Sequence, residues 1–237
     1  MAGSFGSRKI EVPDLLIERS AVMATDAPGE APSGQYYWPN KMGRMYLLAL
    51  EDVMGKNGAN EVLNQARLRH RINNYPPCNL DLGWSFQEMS DLSQALVDLH
   101  GPEGGSALAL RVGHAWFHYA MKDMAAVLGI ADLAFRLLPL STKIRLGLQA
   151  MADTFNNTSD QIVHLEEEGD RFLYHVERCP FCWNRVSDVA ICHSGLGILQ
   201  AGVHWVTGGK EVRIGEIGCL ARGEPFCTYR IEKRPHA

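Results

Sequence analysis

The stretch Cys192 to Cys227 reads CHSGLGILQAGVHWVTGGKEVRIGEIGCLARGEPFC, and the change of period inside it decides the fold. Leu196, Leu199, Val203 and Val206 recur at helical spacing, which predicts an amphipathic helix from Ser194 to Val206. After Gly208-Gly209 the segment Val212 to Ala221 alternates loosely and is rich in β-branched residues, Arg222-Gly223-Glu224-Pro225 carries turn chemistry, and Phe226 to Glu232 resumes a strand pattern. A helix followed by a β-hairpin, with the helix lying across the sheet, is the expected unit.

The same stretch places three sulfurs and a carboxylate, Cys192, Glu216, Cys219 and Cys227, where they can converge. Across the turn, Cys219 and Cys227 come roughly opposite each other, with Cβ atoms about 5 Å apart, a separation at which two thiolates can hold zinc. Glu216 lies three residues before Cys219 and faces the other side of a regular strand. A bulge at Gly215 or Gly218 would bring it round. Cys192 arrives from the start of the helix. A structural zinc takes four N, S or O ligands in a closed tetrahedron, and these four form a candidate set.

Working upstream, the period is again two after Asn156-Asn157-Thr158-Ser159. Ile162 to Glu167 and Arg171 to Glu177 read as strands joined at Gly169-Asp170. Two hairpins around one helix predict an α+β fold, a roughly four-stranded antiparallel sheet with helices packed on one face. Before the sheet the chain is mostly helical. Helices are expected from about Met42 to Gly55, from Asn57 to His70, from the capping box Ser85/Glu88 to Gly101-Pro102, from Ser106 to Leu128, and from Ser141 to Phe155. Residues 1–35 mix Gly, Ser, Pro and Ala as a flexible tail. Residues 36–237 are expected to form a single domain, with a helical part over 36–158 and a hairpin sheet part carrying the zinc ligands over 159–233.

A chain of 237 residues with 46% hydrophobic content can bury a substantial core. Its net charge of −4, spread without long basic runs, argues against nucleic acid as a partner. No uncharged apolar run is long enough for a membrane span and no signal-peptide h-region opens the chain, so a cytoplasmic location is expected. Six cysteines in such a chain favour reduced thiols and metal ligands over a disulfide framework. Cys179-Pro180-Phe181-Cys182 is a CxxC pair outside a thioredoxin-like βαβ setting. It is read as buried thiols, as additional metal ligands, or, with Cys192 and a fourth ligand, as an iron–sulfur cluster site. His114 and His118 share a helix face at i and i+4, but without a HExxH carboxylate they read as packed helix histidines. No nucleophile elbow and no phosphate loop is present.

The pattern Cys192, a glycine-punctuated helix, Gly208-Gly209, Glu216-Ile217-Gly218-Cys219 and Gly223-Glu224-Pro225-Phe226-Cys227 resembles the 4-vinyl reductase domain, in its hydrocarbon-binding protein type. The resemblance covers roughly residues 161–233. It implies structural zinc on Cys192, Glu216, Cys219 and Cys227, and a cavity between helices and sheet that encloses a small hydrophobic or aromatic molecule. The Met- and aromatic-rich helical half would then supply the pocket, with Trp84, Phe86, Trp116, Met121 and Met124 as its candidate lining. A homodimer is implied by likeness to vesicle-tethering subunits. A ligand-binding or sensing domain is expected rather than a catalyst. The alternative is an enzyme of the tetrapyrrole vinyl reductase or aminothiazoline-carboxylate hydrolase kind, using an iron–sulfur cluster or cysteine chemistry at Cys179, Cys182 or His193.

Overall fold

The computed structural model describes residues 34–124, 135 and 137–235. Residues 1–33 of the expected tail therefore lie outside the described residues, as do residues 125–128 at the end of the fourth predicted helix and most of the segment that follows it.

A short strand β1 (Tyr37–Pro39) leads into helix α1 (Asn40–Gln65), and β2 (Leu82–Ser85) pairs back on β1 before helix α2 (Phe86–Met124). Both long helices are broken at a glycine. Gly55 has φ 73° and Gly101 φ 72°, a left-handed conformation that glycine adopts without steric cost. Each break falls where the sequence predicted one helix to end and the next to begin, but the two halves abut instead of being joined by a loop. Pro102 directly follows the break in α2, at the start of the renewed helix where its missing N–H has no partner to lose. Ser85 and Glu88 form the expected capping box: the Glu88 amide donates to Ser85 Oγ at 3.1 Å and the Ser85 amide to Glu88 Oε2 at 3.0 Å.

The helix expected to reach His70 ends at Gln65. Arg67 takes φ 61°, and the amides of Leu68 and Arg67 donate to the carbonyls of Leu63 and Asn64 at 2.8 and 3.1 Å. This is the pattern of a Schellman stop with arginine in the position glycine usually holds.

Helix α3 (Leu140–Thr158) precedes the hairpin β3 (Val163–Glu168) and β4 (Arg171–Val176). Helix α4 (His193–Thr207) then leads to β5 (Val212–Gly218) and β6 (Cys227–Pro235). The four strands form one antiparallel sheet in the order β3-β4-β6-β5, and the α+β class read from the change of period holds. Alternation along β4 buries Phe172, Tyr174 and Val176, and along β6 it buries Cys227, Tyr229 and Ile231. Tyr174 stands opposite Tyr229, and Val176 opposite Cys227. Helix α3 packs on β3 and β6, and α4 on β5.

Helix α4 also lies against α2, where two glycines meet, Gly113 and Gly197. A Cβ on either would fall on backbone of the other helix, at the Ser194 and Leu110 carbonyl oxygens respectively. Ser194 fastens the same crossing. Its hydroxyl donates to the Ala109 carbonyl at 3.1 Å, so the Tyr46 hydroxyl, 3.2 Å away, must be the donor in their bond. Among the described residues no helix is long and apolar enough to cross a membrane.

Candidate functional site

Two features stand out where α4 meets the rest of the molecule: a cluster of sulfurs at its N-terminus and an apolar cavity along its length.

The cluster forms because three chain reversals converge. Cys192 caps the start of α4, Cys219 follows the last residue of β5, and Cys227 opens β6 beside the end of β4, after which the chain turns through Cys179 and Cys182. All five are at most 3% exposed, and all are free thiols. Their Sγ atoms lie 3.4 Å apart for Cys179–Cys192 and for Cys182–Cys227, 3.6 Å for Cys192–Cys227, 3.8 Å for Cys192–Cys219 and 4.0 Å for Cys219–Cys227.

The register of β5 on β6 shifts between Glu216 and Gly218, and Glu216 reaches the cluster. Its Oε2 accepts the Cys192 amide at 3.0 Å, while its buried Oε1 has no partner among the described residues. Burial, followed by the nearby Cys219 charge, pushes the Glu216 carboxyl up to about 9. Cys192 is held well above the usual thiol value, first of all by its burial. For Cys219, a hydrogen bond with Cys182 that raises the pKa is outweighed by bonds with Cys192 and Cys227, and the thiol falls to about 6. His193 begins α4, half-buried beside Cys219, and burial lowers its pKa.

The cavity runs between α1, α2, α3 and α4. Its volume is ≈ 110 Å³, and Met42, Met45, Trp116, Met121, Met151 and Trp205 are among its lining residues. Trp116 and Met121, two of the pocket residues expected from the sequence, line this cavity, which lies among helices and not between helices and sheet. Trp84 and Phe86 do not line the cavity and are fully buried elsewhere in the core, Trp84 with the Arg71 guanidinium 5.3 Å from its ring. Met124 ends α2, and its side chain lies outside the description.

Met42, Met45, Met151 and Phe155 line the cavity without having been singled out as pocket residues. The available signal was their i, i+3 and i, i+4 spacing on α1 and α3 opposite Gly202 of α4, a position with no side chain to fill the gap. The Trp116 indole Nε1, on a residue only 4% exposed, finds no hydrogen-bond partner among the described residues. His114 faces elsewhere, its Nε2 2.8 Å from Gln200 Oε1, and His118 is exposed.

A smaller space of ≈ 20 Å³ adjoins the first through Met151, Phe155 and Ile198, and reaches Cys179, Tyr174 and Tyr229. The Tyr174 hydroxyl there is buried and unpartnered, which raises its pKa strongly, first through desolvation. An unmatched buried hydroxyl carries a desolvation cost, so Tyr174→Phe is expected to raise stability by about 1 kcal/mol, measured as an upward shift in Tm of the ligand-free protein.

No protein-family model and no curated protein matches the sequence. Solved structures do match the fold. An Fe(II) unliganded H-NOX protein from K. algicida is 15% identical over 84% of this chain and 97% of its own, with a TM-score of 0.54. An H-NOX protein from S. oneidensis in the Fe(II)NO ligation state is 14% identical, covering 80% and 97%, with a TM-score of 0.51. A third structure, from work on heme distortion in the H-NOX family, is 13% identical, covering 84% and 97%, also at 0.51.

These likenesses establish a shared fold, and they correct the resemblance drawn from the C-terminal hairpin. The matching structures are H-NOX proteins, not 4-vinyl reductase domains or hydrocarbon-binding proteins. The cofactors expected on that basis, zinc or alternatively an iron–sulfur cluster, are corrected with it, since the iron named for the matching proteins is Fe(II) and heme. A cysteine pattern on a hairpin is a local signal, and it did not carry the family assignment.

Proposed function

We propose that the protein is a small-molecule binding and sensing domain whose ligand is an apolar body with one hydrogen-bond acceptor, enclosed between α1, α2, α3 and α4. The observation that carries this reading is the apolar cavity, with Trp116 among its lining residues and the buried Nε1 of that indole without a partner among the described residues. Apolar pockets with a few convergent polar groups are the usual form of a small-molecule site, and methionines let such a pocket adapt to its contents. A buried N–H without a partner is rare in a finished core. A ligand carbonyl or ether oxygen would satisfy it. Helix α4 both lines the cavity and begins in the sulfur cluster, which supports sensing: a ligand that shifts α4 alters the packing at its far end.

Heme, named for the H-NOX family, does not fit this lining. Its iron takes an axial His, Cys or Tyr, or Met paired with His, and no His, Cys or Tyr is among the described residues that line the cavity. Four methionine thioethers are available, but no basic residue is among the described residues that line the cavity to receive the propionates. The apolar walls and the Trp116 indole N–H therefore define the ligand's chemistry.

Acetophenone and ethylbenzene, nearly the same shape but with and without an acceptor, test the reading by calorimetry. Acetophenone is expected to bind about fivefold more tightly, the worth of one net hydrogen bond near 1 kcal/mol. Trp116→Phe should abolish that preference, and Ala120→Phe, which fills the cavity from α2, should weaken both ligands at least about tenfold. Equal binding of both probes by the native chain, or no saturable binding of either, would refute the proposal.

A further inference from the structure

The cavity among the helices opens to the surface, and the side chains at its mouth are apolar. Gly147 of α3 and Val206 of α4 approach closely in its wall. The residues beside them, Leu146 and Trp205, are each 40% exposed, and Trp205 itself lines the cavity. The chain's four other tryptophans, Trp38, Trp84, Trp116 and Trp183, are at most 5% exposed. Met42, Met45 and Met121 of the lining are half-buried.

The charge around this mouth differs from that of the chain. The stretches that supply the lining and its immediate neighbours, 41–45, 116–123, 143–155 and 198–206, carry Lys41, Arg44, Lys122, Lys143 and Arg145 against Asp123 and Asp153. The whole chain has a net charge of −4, so cations are concentrated here. Lys41, Lys122 and Arg145 directly adjoin Met42, Met121 and Leu146 in sequence. A lone exposed apolar side chain needs no explanation. An indole and a leucine at the mouth of an apolar cavity, accompanied by an excess of cations, match the interface of an anionic bilayer. Tryptophan settles at headgroup level, apolar side chains enter the acyl boundary, and each cation near the surface strengthens partition about fivefold. No helix among the described residues is long and apolar enough to cross a membrane, so contact at this face is peripheral. A second copy of the chain could also cover the apolar pair, but two such faces would bring like charges together.

We propose that the face around the cavity mouth docks on an anionic lipid bilayer, with Trp205 and Leu146 entering the headgroup region. An apolar ligand then passes between the acyl chains and the cavity without crossing water. The passage rests on the cavity being a ligand site, as proposed above; the docking needs only the exposed side chains and the charge.

The reduced full-length chain is mixed with phosphatidylcholine vesicles, with and without phosphatidylglycerol, while pelleting and tryptophan fluorescence are followed. Partition is expected only onto the anionic vesicles, weakening steeply as salt is raised. Arg145→Gln should lower it about fivefold, and Leu146→Gln should also weaken it. Arg69→Gln, beyond the far end of α1, should leave it unchanged. Each replaced side chain is exposed, so the fold is not at stake. Lipids brominated in their acyl chains should quench Trp205, and Trp205→Phe should remove that quenching. No partition onto anionic vesicles overturns the proposal, as does partition that Arg145→Gln and Arg69→Gln lower equally, or emission that brominated lipid leaves unquenched. A blue shift of Trp205 on concentrating the chain without vesicles also overturns it, assigning the face to a second copy. Acetophenone binding measured without vesicles is read separately: its absence refutes the ligand reading and not the docking.

Discussion

Gly197→Leu is expected to lower the stability of the fold by about 4 kcal/mol or more, a large shift of the urea midpoint. At Gly197 a Cβ would fall on the Leu110 carbonyl oxygen, with the Gly113 Cα and the His114 amide nitrogen each 3.1 Å away. These neighbours are backbone atoms of α2, so no rotamer change can clear the space. Overpacking a core ordinarily costs about 1–3 kcal/mol because side chains and backbone share the strain. Here α2 and α4 must move apart, and the separation also pulls Ser194 from the Ala109 carbonyl and from Tyr46. Losses beyond about 4 kcal/mol are exceptional for one substitution, but they are a large part of the 5–15 kcal/mol that holds a domain together.

Gly197→Ala meets the same obstruction in smaller form and gains back about 1 kcal/mol of helix propensity, so a net loss of about 2 kcal/mol is expected. Gly104→Ala, in α2 but with only the His100 Cβ at 3.3 Å in its way, controls for propensity and should be neutral or slightly stabilising. Urea unfolding with an unchanged m-value would assign the differences to stability. A Gly197→Leu chain as stable as the native one would mean that the helices do not cross at these glycines.

The glycine crossing shows where the sequence could and could not be read. Each of its glycines sits inside a helical pattern, and nothing local distinguishes a glycine that admits another helix from one that merely weakens its own. The changes of period were legible: the hairpin at Gly169-Asp170, the helix through Leu199 and Val203, and the capping box at Ser85 and Glu88 were visible because one side chain or one spacing sets each of them. The stop at Arg67 was not, because the left-handed position is held by a residue with no preference for it. The pair β1–β2 was not either, since strands of three and four residues are too short to show a period. At the site, the four residues Cys192, Glu216, Cys219 and Cys227 could be named from the hairpin, but the approach of Cys179 and Cys182 depends on β4 lying beside β6, a long-range pairing that spacing does not encode. The cavity is a space between four helices, and the sequence offers its walls only as separate stripes.

The second large effect is expected at Trp38, which does for the aromatic core what the glycines do for the helix crossing. Its ring is fully buried and lies with centroids 5.0 Å from Trp116, 5.6 Å from Phe181, 5.9 Å from Phe155 and 6.0 Å from Phe86. One side chain from a three-residue strand thus joins α2, α3 and the turn between Cys179 and Cys182. Its Nε1 donates to Gln161 Oε1 at 2.9 Å, and Gln161 is only 4% exposed.

Trp38→Ala therefore removes a large ring and strands a buried acceptor. The first change alone costs about 3–5 kcal/mol and the second about 1–3 kcal/mol, with some overlap where the cavity left behind admits water. A loss of about 5 kcal/mol is expected by urea unfolding. Trp38→Phe separates the two contributions, since it keeps much of the ring packing but not the donor, and should cost about 2 kcal/mol. Adding Gln161→Leu to Trp38→Phe should then recover about 1 kcal/mol, because replacing both partners of a buried hydrogen bond is less costly than removing one.

The consequence for the site follows from Trp116, which touches Trp38 on one side and lines the cavity on the other. If Trp38 sets the position of that indole, Trp38→Phe should weaken acetophenone more than ethylbenzene, since only the former depends on where the N–H points. Equal weakening of both would instead place the effect in the general looseness of the wall, and would separate the hydrogen bond to Trp116 from the packing that holds it.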